Sequence, residues 1–487
     1  MSDGQRDGIG EAAGAGAGPS VAVIGGGVTG MFAAWELRRR LGPGARILVL
    51  EAYGRLGGKL KTVDFAAGPV DMGAEAFLTR HTGMAQLVAD LGLESELRTP
   101  SGARSAFLVD GELVDIPSAT VMGVPARGAD VADVLTAQGQ AAVDAELDGP
   151  ALPWIVGDDV NVGELVRRRF CDEVVDRLGS PMLGGVYSCS ADDLGLRATV
   201  PQIAEAMDDL AGRGDDVYLS TAVAQVLEDR AAASASSKDG SAGPAFNTMA
   251  SGYRTLINRL AEASGADIRV NTQVEEIGRY NGRIYLEPVG TVDAVVVATP
   301  APTASVLLKD IAPDAADILG GVKLASSAVV GMSYSGTEGD PGIPQRSGIL
   351  IGADGPTHAK AFTFSSRKWP HLGERDGGRG GFVRASFGTY QDSSLLEVDD
   401  ETLVEYAIAD LEKVAGVTAR PAETFVQRWW GGLPVYGVGH TELMGIAESA
   451  VSEIPRVAVA GASLHGVGVP ACAETGRAAA RKIAAEL

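Results

Sequence analysis

From residue 20 onward the chain alternates between short apolar runs and longer amphipathic stretches. SVAVI (20–24) is a β-branched run that ends in glycines, and MFAAWELRRRL (31–41) repeats its apolar residues at helical spacing. ARILVLE (45–51) reads as the next strand, so the opening is β-turn-α-β, the start of a doubly wound parallel sheet. From about 110 to 215 the pattern is largely helical, and VGELVRRRFCDEVVDRL (162–178) is its clearest amphipathic stretch. Strand patterns return in DIRVNTQVEEI, GRIYLEP and VDAVVVATP, between 267 and 300. A second sheet is expected from SSAVVGMSYS, SGILIG, AKAFTFS and GFVRASFGTY. A helix near 400–415, the strand RVAVAGA (456–462) and a last helix from about Ala473 close the chain. Ala231–Gly243 is low in complexity and reads as a surface loop. No internal repeat is found.

Length and charge narrow the picture. At 487 residues the chain predicts two or three domains rather than one. The formal net charge of −22 argues against nucleic acid and against adhesion to anionic lipid. A small anionic substrate would need its own local arginines or lysines. Cys171, Cys189 and Cys472 form no CxxC pair, which fits reduced thiols in the cytoplasm. The five histidines show no HxxxH or HExxH grouping, so no metal site is expected. No apolar run reaches the ~18 residues of a membrane helix, and the first nineteen residues read as a flexible tail.

Gly25, Gly27 and Gly30 fit G-x-G-x-x-G between a strand and a helix. In that pattern the first glycine permits the turn, the second lets backbone approach a pyrophosphate, and the third allows close helix packing. The phosphates then sit at the positive end of the helix that follows. A side chain at Gly27 is therefore expected to do more harm to nucleotide binding than a methyl at Gly26. Glu51 ends the second strand 21 residues after Gly30, where a carboxylate accepts from ribose hydroxyls. A second glycine pair follows at once in Arg55-Leu56-Gly57-Gly58-Lys59-Leu60-Lys61-Thr62. It brings another stretch of backbone to the cofactor, with Arg55 available to the pyrophosphate. That second pair selects FAD over NAD.

This RxGGxxxT run resembles the GG motif of the FAD-dependent amine oxidase superfamily. SPMLGGVY (180–187) with ADDLGLRAT (191–199), RKWPH (367–371), LPVYGVGH (433–440) and GVGVPAC (466–472) narrow the likeness. In this order they resemble the protoporphyrinogen/coproporphyrinogen oxidases, from about residue 20 to the carboxyl terminus. The fold implied is α/β plus α+β, a Rossmann-like FAD-binding domain with a mixed-sheet substrate domain and a helical insertion. Expected boundaries are 20–85 with 245–300 and 455–487 for FAD, 86–110 with 301–454 for substrate, and 111–215 for the insertion.

The resemblance also implies site residues. Non-covalent FAD would meet Gly25, Gly26, Gly27, Val28, Thr29, Gly30, Glu51, Ala52, Arg55, Gly57, Gly58 and Lys59 through its phosphates and ribose. Gly73, Ala74, Glu75 and Ala76 (in DMGAEAF) would pass near the flavin, and Val274, in the strand QVEEI, would hold the adenine. Trp429 and the Val467-Gly468-Val469 turn would lie beside the ring system. Leu350 and Thr363 would line the substrate cavity. Arg80, Arg346, Lys360 and Arg384 are the candidate partners for substrate carboxylates, with Arg80 and Arg346 preferred. Many relatives have a lysine where this chain has His81, so Arg80 or His81 would take its place.

The activity implied is oxidation of a porphyrinogen in haem synthesis, with oxygen as the acceptor, and no general base is assigned. Transient contact with the next enzyme of haem synthesis is a further partnership compatible with that place. The soluble, four-carboxylate coproporphyrinogen suits a chain without a membrane segment better than protoporphyrinogen does. Two rivals stand beside it. Many amine oxidases place a lysine near the flavin, where this register has Val329, with Lys323 close by. The third reading is a non-catalytic flavoprotein that carries tetrapyrrole.

Overall fold

The computed structural model describes residues 18–79, 83–236, 246–337, 340–378 and 381–487. At its centre is a five-stranded parallel sheet in the order Asp267–Arg269, Arg46–Leu50, Ser20–Ile24, Ala294–Val297, Val457–Val459. Strand Ser20–Ile24 is buried throughout because both faces are covered, which explains its unbroken apolar run. Val21, Val23, Ile47 and Val49 pack against helices Val28–Leu41, Tyr253–Ser264 and Val469–Ala485. Their neighbours Ala22, Ile24, Leu48 and Leu50 point the other way, against helices Ala301–Leu308, Pro313–Gly321 and His440–Ser452.

A seven-stranded mixed sheet forms the second layer, in the order Glu423–Pro434, Leu324–Ser333, Phe382–Phe387, Ala361–Thr363, Gly348–Ile351, Ser105–Val109, Glu112–Asp115. One face packs Ala328, Val330, Phe362, Val383 and Ala385 against helix Asp400–Ala415. At the other face Phe107 and Leu350 meet the core of a helical insertion. The insertion runs later than the periodicity suggested. Glu112–Asp115 still belongs to the sheet, and the last helix, Leu219–Ser236, continues into the segment expected to be a loop, whose alanines favour helix. Residues 237–245 of that expected loop, and residues 1–17 of the expected tail, lie outside the described residues.

Other boundaries shift for local reasons. The 162–178 stretch breaks at Phe170–Cys171 into helix Val162–Arg169 and a second helical run that begins at Asp172 and continues to Tyr187. The break lets Arg167 gather Asp172, Asp176 and Asp192, while Arg169 turns in to a buried Glu146. The run of three arginines is thus not one solvated face: only Arg168 is exposed. The final helix starts at Val469, not Ala473, because Pro470 is tolerated in a first turn, where its missing N–H has no partner to lose. Strand Glu423–Pro434 had no strand pattern strong enough to be expected. Its residues are mostly half-buried on both sides, so no clean alternation marks it.

Candidate active site

The two glycine loops lie side by side at the carboxyl ends of the parallel strands. Gly57 N–H donates to Gly26 O at 2.9 Å, and Gly27 pairs with Gly57 as a parallel bridge. Gly25 (φ +104°) and Gly57 (φ +103°) take backbone conformations that a side chain resists. A Cβ at Gly30 would stand 1.9 Å from Gly25 O, so that glycine sets the closeness of helix and turn. A Cβ at Gly27 would meet only the Gly58 Cα, at 3.9 Å, and therefore points into the space between the loops. No side chain caps helix Val28–Leu41, which leaves the first N–H groups from Val28 and Thr29 for a ligand. Helix Val469–Ala485 is likewise uncapped at Gly468.

Glu51 is buried at the end of its strand. Its Oε2 accepts from Gly26 N–H (2.8 Å) and its Oε1 from Tyr53 N–H (2.9 Å), leaving lone pairs on both oxygens. Thr272 N–H donates to Glu51 O, which brings the 271–274 segment alongside Glu51 and Ala52. Val274 is buried there, but in the connection before strand Glu276–Tyr280 and not inside a strand. Arg55 spends its guanidinium on the carbonyls of Leu56, Gly58 and Leu60, so it braces the second loop rather than standing free for a phosphate. Lys59 follows it, and partial burial, then the nearby Arg55 charge, lower its pKa.

Gly73 connects this crevice to the second sheet. A Cβ there would lie 1.9 Å from Lys59 O and 3.2 Å from the Trp429 ring, whose Nε1–H donates to Met72 O (3.0 Å). Trp429 pairs across the sheet with Ser327, and strand alternation puts Gln427, Val329, Ser386, Ala361 and Leu350 on its side. Arg384 and Thr363, opposite each other in register, share that face. The expected cofactor residues Gly25–Gly30, Glu51, Gly57–Lys59, Gly73 and Trp429 are thus brought together at one crevice. The face bearing Leu350 and Thr363 adjoins it. Ala74 is exposed and Ala76 half-buried beside them.

Glu75 is held by charges that no local pattern announced. Its carboxylate meets Lys368 Nζ at 3.0 Å and Arg384 Nη1 at 3.8 Å, and Ser365 Oγ donates to it at 2.6 Å. Burial opposes its charge, but the two cations and the serine hold it down to about 2. Arg384 also donates to Gly73 O at 2.8 Å, while its buried Nε–H has no partner. Nearby Asp71 accepts from Thr62 and from Tyr253 N–H, and burial lifts it to about 6.

The preferred carboxylate partners fare differently. Arg80 and His81 lie outside the described residues. Arg346 is ion-paired with Asp115, which Arg104 also approaches at 2.9 Å, so its charge is already engaged. Lys360 Nζ donates to Ser188 Oγ (2.9 Å) and Gly388 O (2.5 Å) at the seam of insertion and sheet, where burial lowers it to about 8. Cys472 is buried beside the 466–468 turn, its Sγ 3.8 Å from Gly466 O and Val467 O, and burial raises it to about 11. Among the described residues no helix is long and apolar enough to cross a membrane.

The chain as a whole is matched by known proteins. The chain belongs to the flavin containing amine oxidoreductase family, whose sequence model matches residues 28–484, and it is a flavin-dependent oxidoreductase. It is similar to the coproporphyrinogen III oxidase of Mycobacterium tuberculosis (strain ATCC 25618 / H37Rv), 37% identical over 456 residues, covering 93% of this chain and 94% of that one. The coproporphyrinogen III oxidase of Bacillus subtilis (strain 168) is 29% identical, with 94% and 96% covered. Among solved structures, a proposed protoporphyrinogen oxidase from Exiguobacterium sp. 255-15 superposes with a TM-score of 0.81 at 26% identity, covering 96% and 99%.

Proposed function

We propose that this protein oxidises coproporphyrinogen III to coproporphyrin III in haem synthesis, as a cytoplasmic enzyme with non-covalently bound FAD and oxygen as acceptor. The observation that carries the reading is the continuity of the crevice with one sheet face. A Cβ at Gly73 would meet both the Lys59 carbonyl and Trp429, so a cofactor lying along the two glycine loops would end against Trp429 and the Val467–Val469 turn. Gly25–Gly30, Glu51, Gly57–Lys59 and the two uncapped helix ends would hold FAD. When bound, FAD would supply the acceptor for hydride from a bridging methylene, the pyrrole proton being lost and oxygen being reduced to hydrogen peroxide, three times per porphyrin.

The protein's own part is to orient and to neutralise. Leu350, Ala361 and Thr363 offer a mostly apolar wall to the macrocycle, and Arg384 places a cation on that wall for a carboxylate. This register puts Val329, with Lys323 close by, where many amine oxidases have a lysine, and a valine there disfavours amine turnover. The names of the relatives support the porphyrinogen, and coproporphyrinogen above protoporphyrinogen. The test is an anaerobic mix of the flavin-loaded protein with each porphyrinogen and with a primary amine. Bleaching of the flavin by coproporphyrinogen, faster than by protoporphyrinogen and absent with the amine, is expected. Bleaching by the amine alone would overturn the reading. No bleaching, with intact flavin, would favour a tetrapyrrole carrier.

A further inference from the structure

The expected ring-side turn is preceded by a very short helix, Ala462–His465, lying between Gly461 (φ +143°) and Gly466 (φ +136°). Four residues cannot sustain a helix by themselves, and neither end has a side-chain cap from its flanking residue. Besides the His465–Glu448 pair at 2.8 Å, two residues outside it hold its backbone. Tyr436, 2% exposed, donates from its hydroxyl to Ala462 O, and the Gly466 N–H faces the hydroxyl oxygen of Tyr436 itself. One phenol thereby ties both ends of the helix. His440, 6% exposed, places Nε2 2.7 Å from Ser463 O. A carbonyl only accepts, so Nε2 carries the proton, and burial keeps the ring neutral.

The pair is anchored on its far side to the insertion. The Tyr436 ring stacks on His440 (4.1 Å between centroids) and tilts against Tyr187 at 5.9 Å. Gly195 N–H donates to Tyr436 O (2.7 Å), and Gly439 N–H donates to Asp159 Oδ2 (2.7 Å). Tyr187 ends helix Ser180–Tyr187, in which Gly185 faces Leu350. Ring packing alone would need neither polar atom, yet both are spent on backbone of the 462–466 segment.

We infer that Tyr436 and His440 are positioning residues that set the Ala462–Val469 segment against the flavin ring and tie it to the insertion wall of the substrate cavity. The inference rests on the flavin placement proposed above. Neither residue needs to touch flavin or substrate, because each acts through a backbone carbonyl.

Tyr436→Phe keeps the ring and removes only the hydroxyl, His440→Leu removes the donor, and His440→Gln keeps an N–H at similar reach. Tyr436→Phe and His440→Leu should each raise the Kd for FAD about five- to tenfold, the effect of one lost hydrogen bond. They should also shift the visible spectrum and midpoint potential of the bound flavin and lower kcat with little change in KM, and His440→Gln should restore most of this. Wild-type FAD affinity, spectrum and potential in Tyr436→Phe and His440→Leu, with only a lower Tm, would reduce the pair to core packing and overturn the inference. Should His440→Leu not fold, the near-isosteric Tyr436→Phe decides alone. A wild-type protein that takes up no FAD would overturn the flavin reading and this inference with it. Flavin uptake unaffected by the variants overturns this inference only.

Discussion

The crevice between the two glycine loops and the sheet face beside it stand next to each other and are built on opposite terms. The crevice is backbone: glycines, uncapped helix ends and one carboxylate that accepts from the loops themselves. The face beside it depends on side-chain charge, with Glu75 shared between Lys368 and Arg384 and a buried Arg384 N–H left over. Backbone donors suit a pyrophosphate, which is the same in every FAD. Fixed cations suit carboxylates, whose number differs between porphyrinogens. Damage to the first region should therefore be steric and indifferent to pH. Damage to the second should be electrostatic.

The largest expected effect is at Gly27. Gly27→Val should leave the fold intact, because its side chain would occupy free space between the loops, and should lower FAD affinity at least a hundredfold, about 3 kcal/mol or more. Gly26→Ala is not simply the milder change that the motif suggested. Its Cβ would lie 2.5 Å from Leu56 Cδ2 and 3.1 Å from Glu51 Cβ, so it should lower protein stability by roughly 1–3 kcal/mol. Flavin titration and thermal melts separate the two. Wild-type affinity in Gly27→Val would place the pyrophosphate elsewhere and erase the contrast between the regions.

Next in size is Glu75→Gln, expected to cost about 3 kcal/mol at neutral pH by leaving two cations without their carboxylate. The pH dependence follows from its pKa, near 2 folded against 4.5 for an ordinary glutamate. The folded pKa is the lower one, so the stabilisation is complete above about 4.5 and is lost as pH falls toward 2. Denaturation of both proteins from pH 7 to pH 3 should show their difference shrinking in that window. A constant difference would mean that Glu75 acts by packing rather than by charge.

Smallest are the arginines of the rim. Arg384→Met should raise KM for coproporphyrinogen more than for protoporphyrinogen, by an amount typical of a partly desolvated charge contact, about 1.5–3 kcal/mol. Arg346→Ala, with its charge already given to Asp115, should change the same ratio by no more than about 1 kcal/mol. The exposed Arg168→Ala should change nothing. If Arg346→Ala outweighs Arg384→Met in steady-state kinetics on both substrates, the carboxylate end of the cavity has been put on the wrong side of the sheet.

How much of this was legible depended on how far apart the interacting residues are in the chain. The two glycine loops lie within 40 residues of each other, each glycine has a backbone reason, and the spacing to Glu51 is set by one helix and one strand. The roles of Gly25, Gly30, Gly57 and Glu51 are therefore legible in the sequence alone. Trp429 could be named only through resemblance, since it reaches Met72 and Gly73 across 357 positions. Lys368 and Ser365 as partners of Glu75, 293 and 290 positions away, left no local trace at all. The same distance explains why Arg346 looked free: Asp115, which neutralises it, sits 231 positions earlier.

The sequence by itself determined the parallel sheet, the glycine crevice and the class of cofactor, because strand burial, turn conformation and helix-end donors are properties of short segments. Tertiary structure alone decided which charges are spent and which remain. Arg55 and Arg346 are satisfied by neighbours, whereas Arg384, also paired with Glu75 and Gly73 O, keeps one buried N–H without a partner. Only the fold could put Tyr436 and His440 over the carbonyls of Ala462 and Ser463. A hydrogen bond or ion pair depends on a few tenths of an ångström between groups that sequence spacing leaves unrelated.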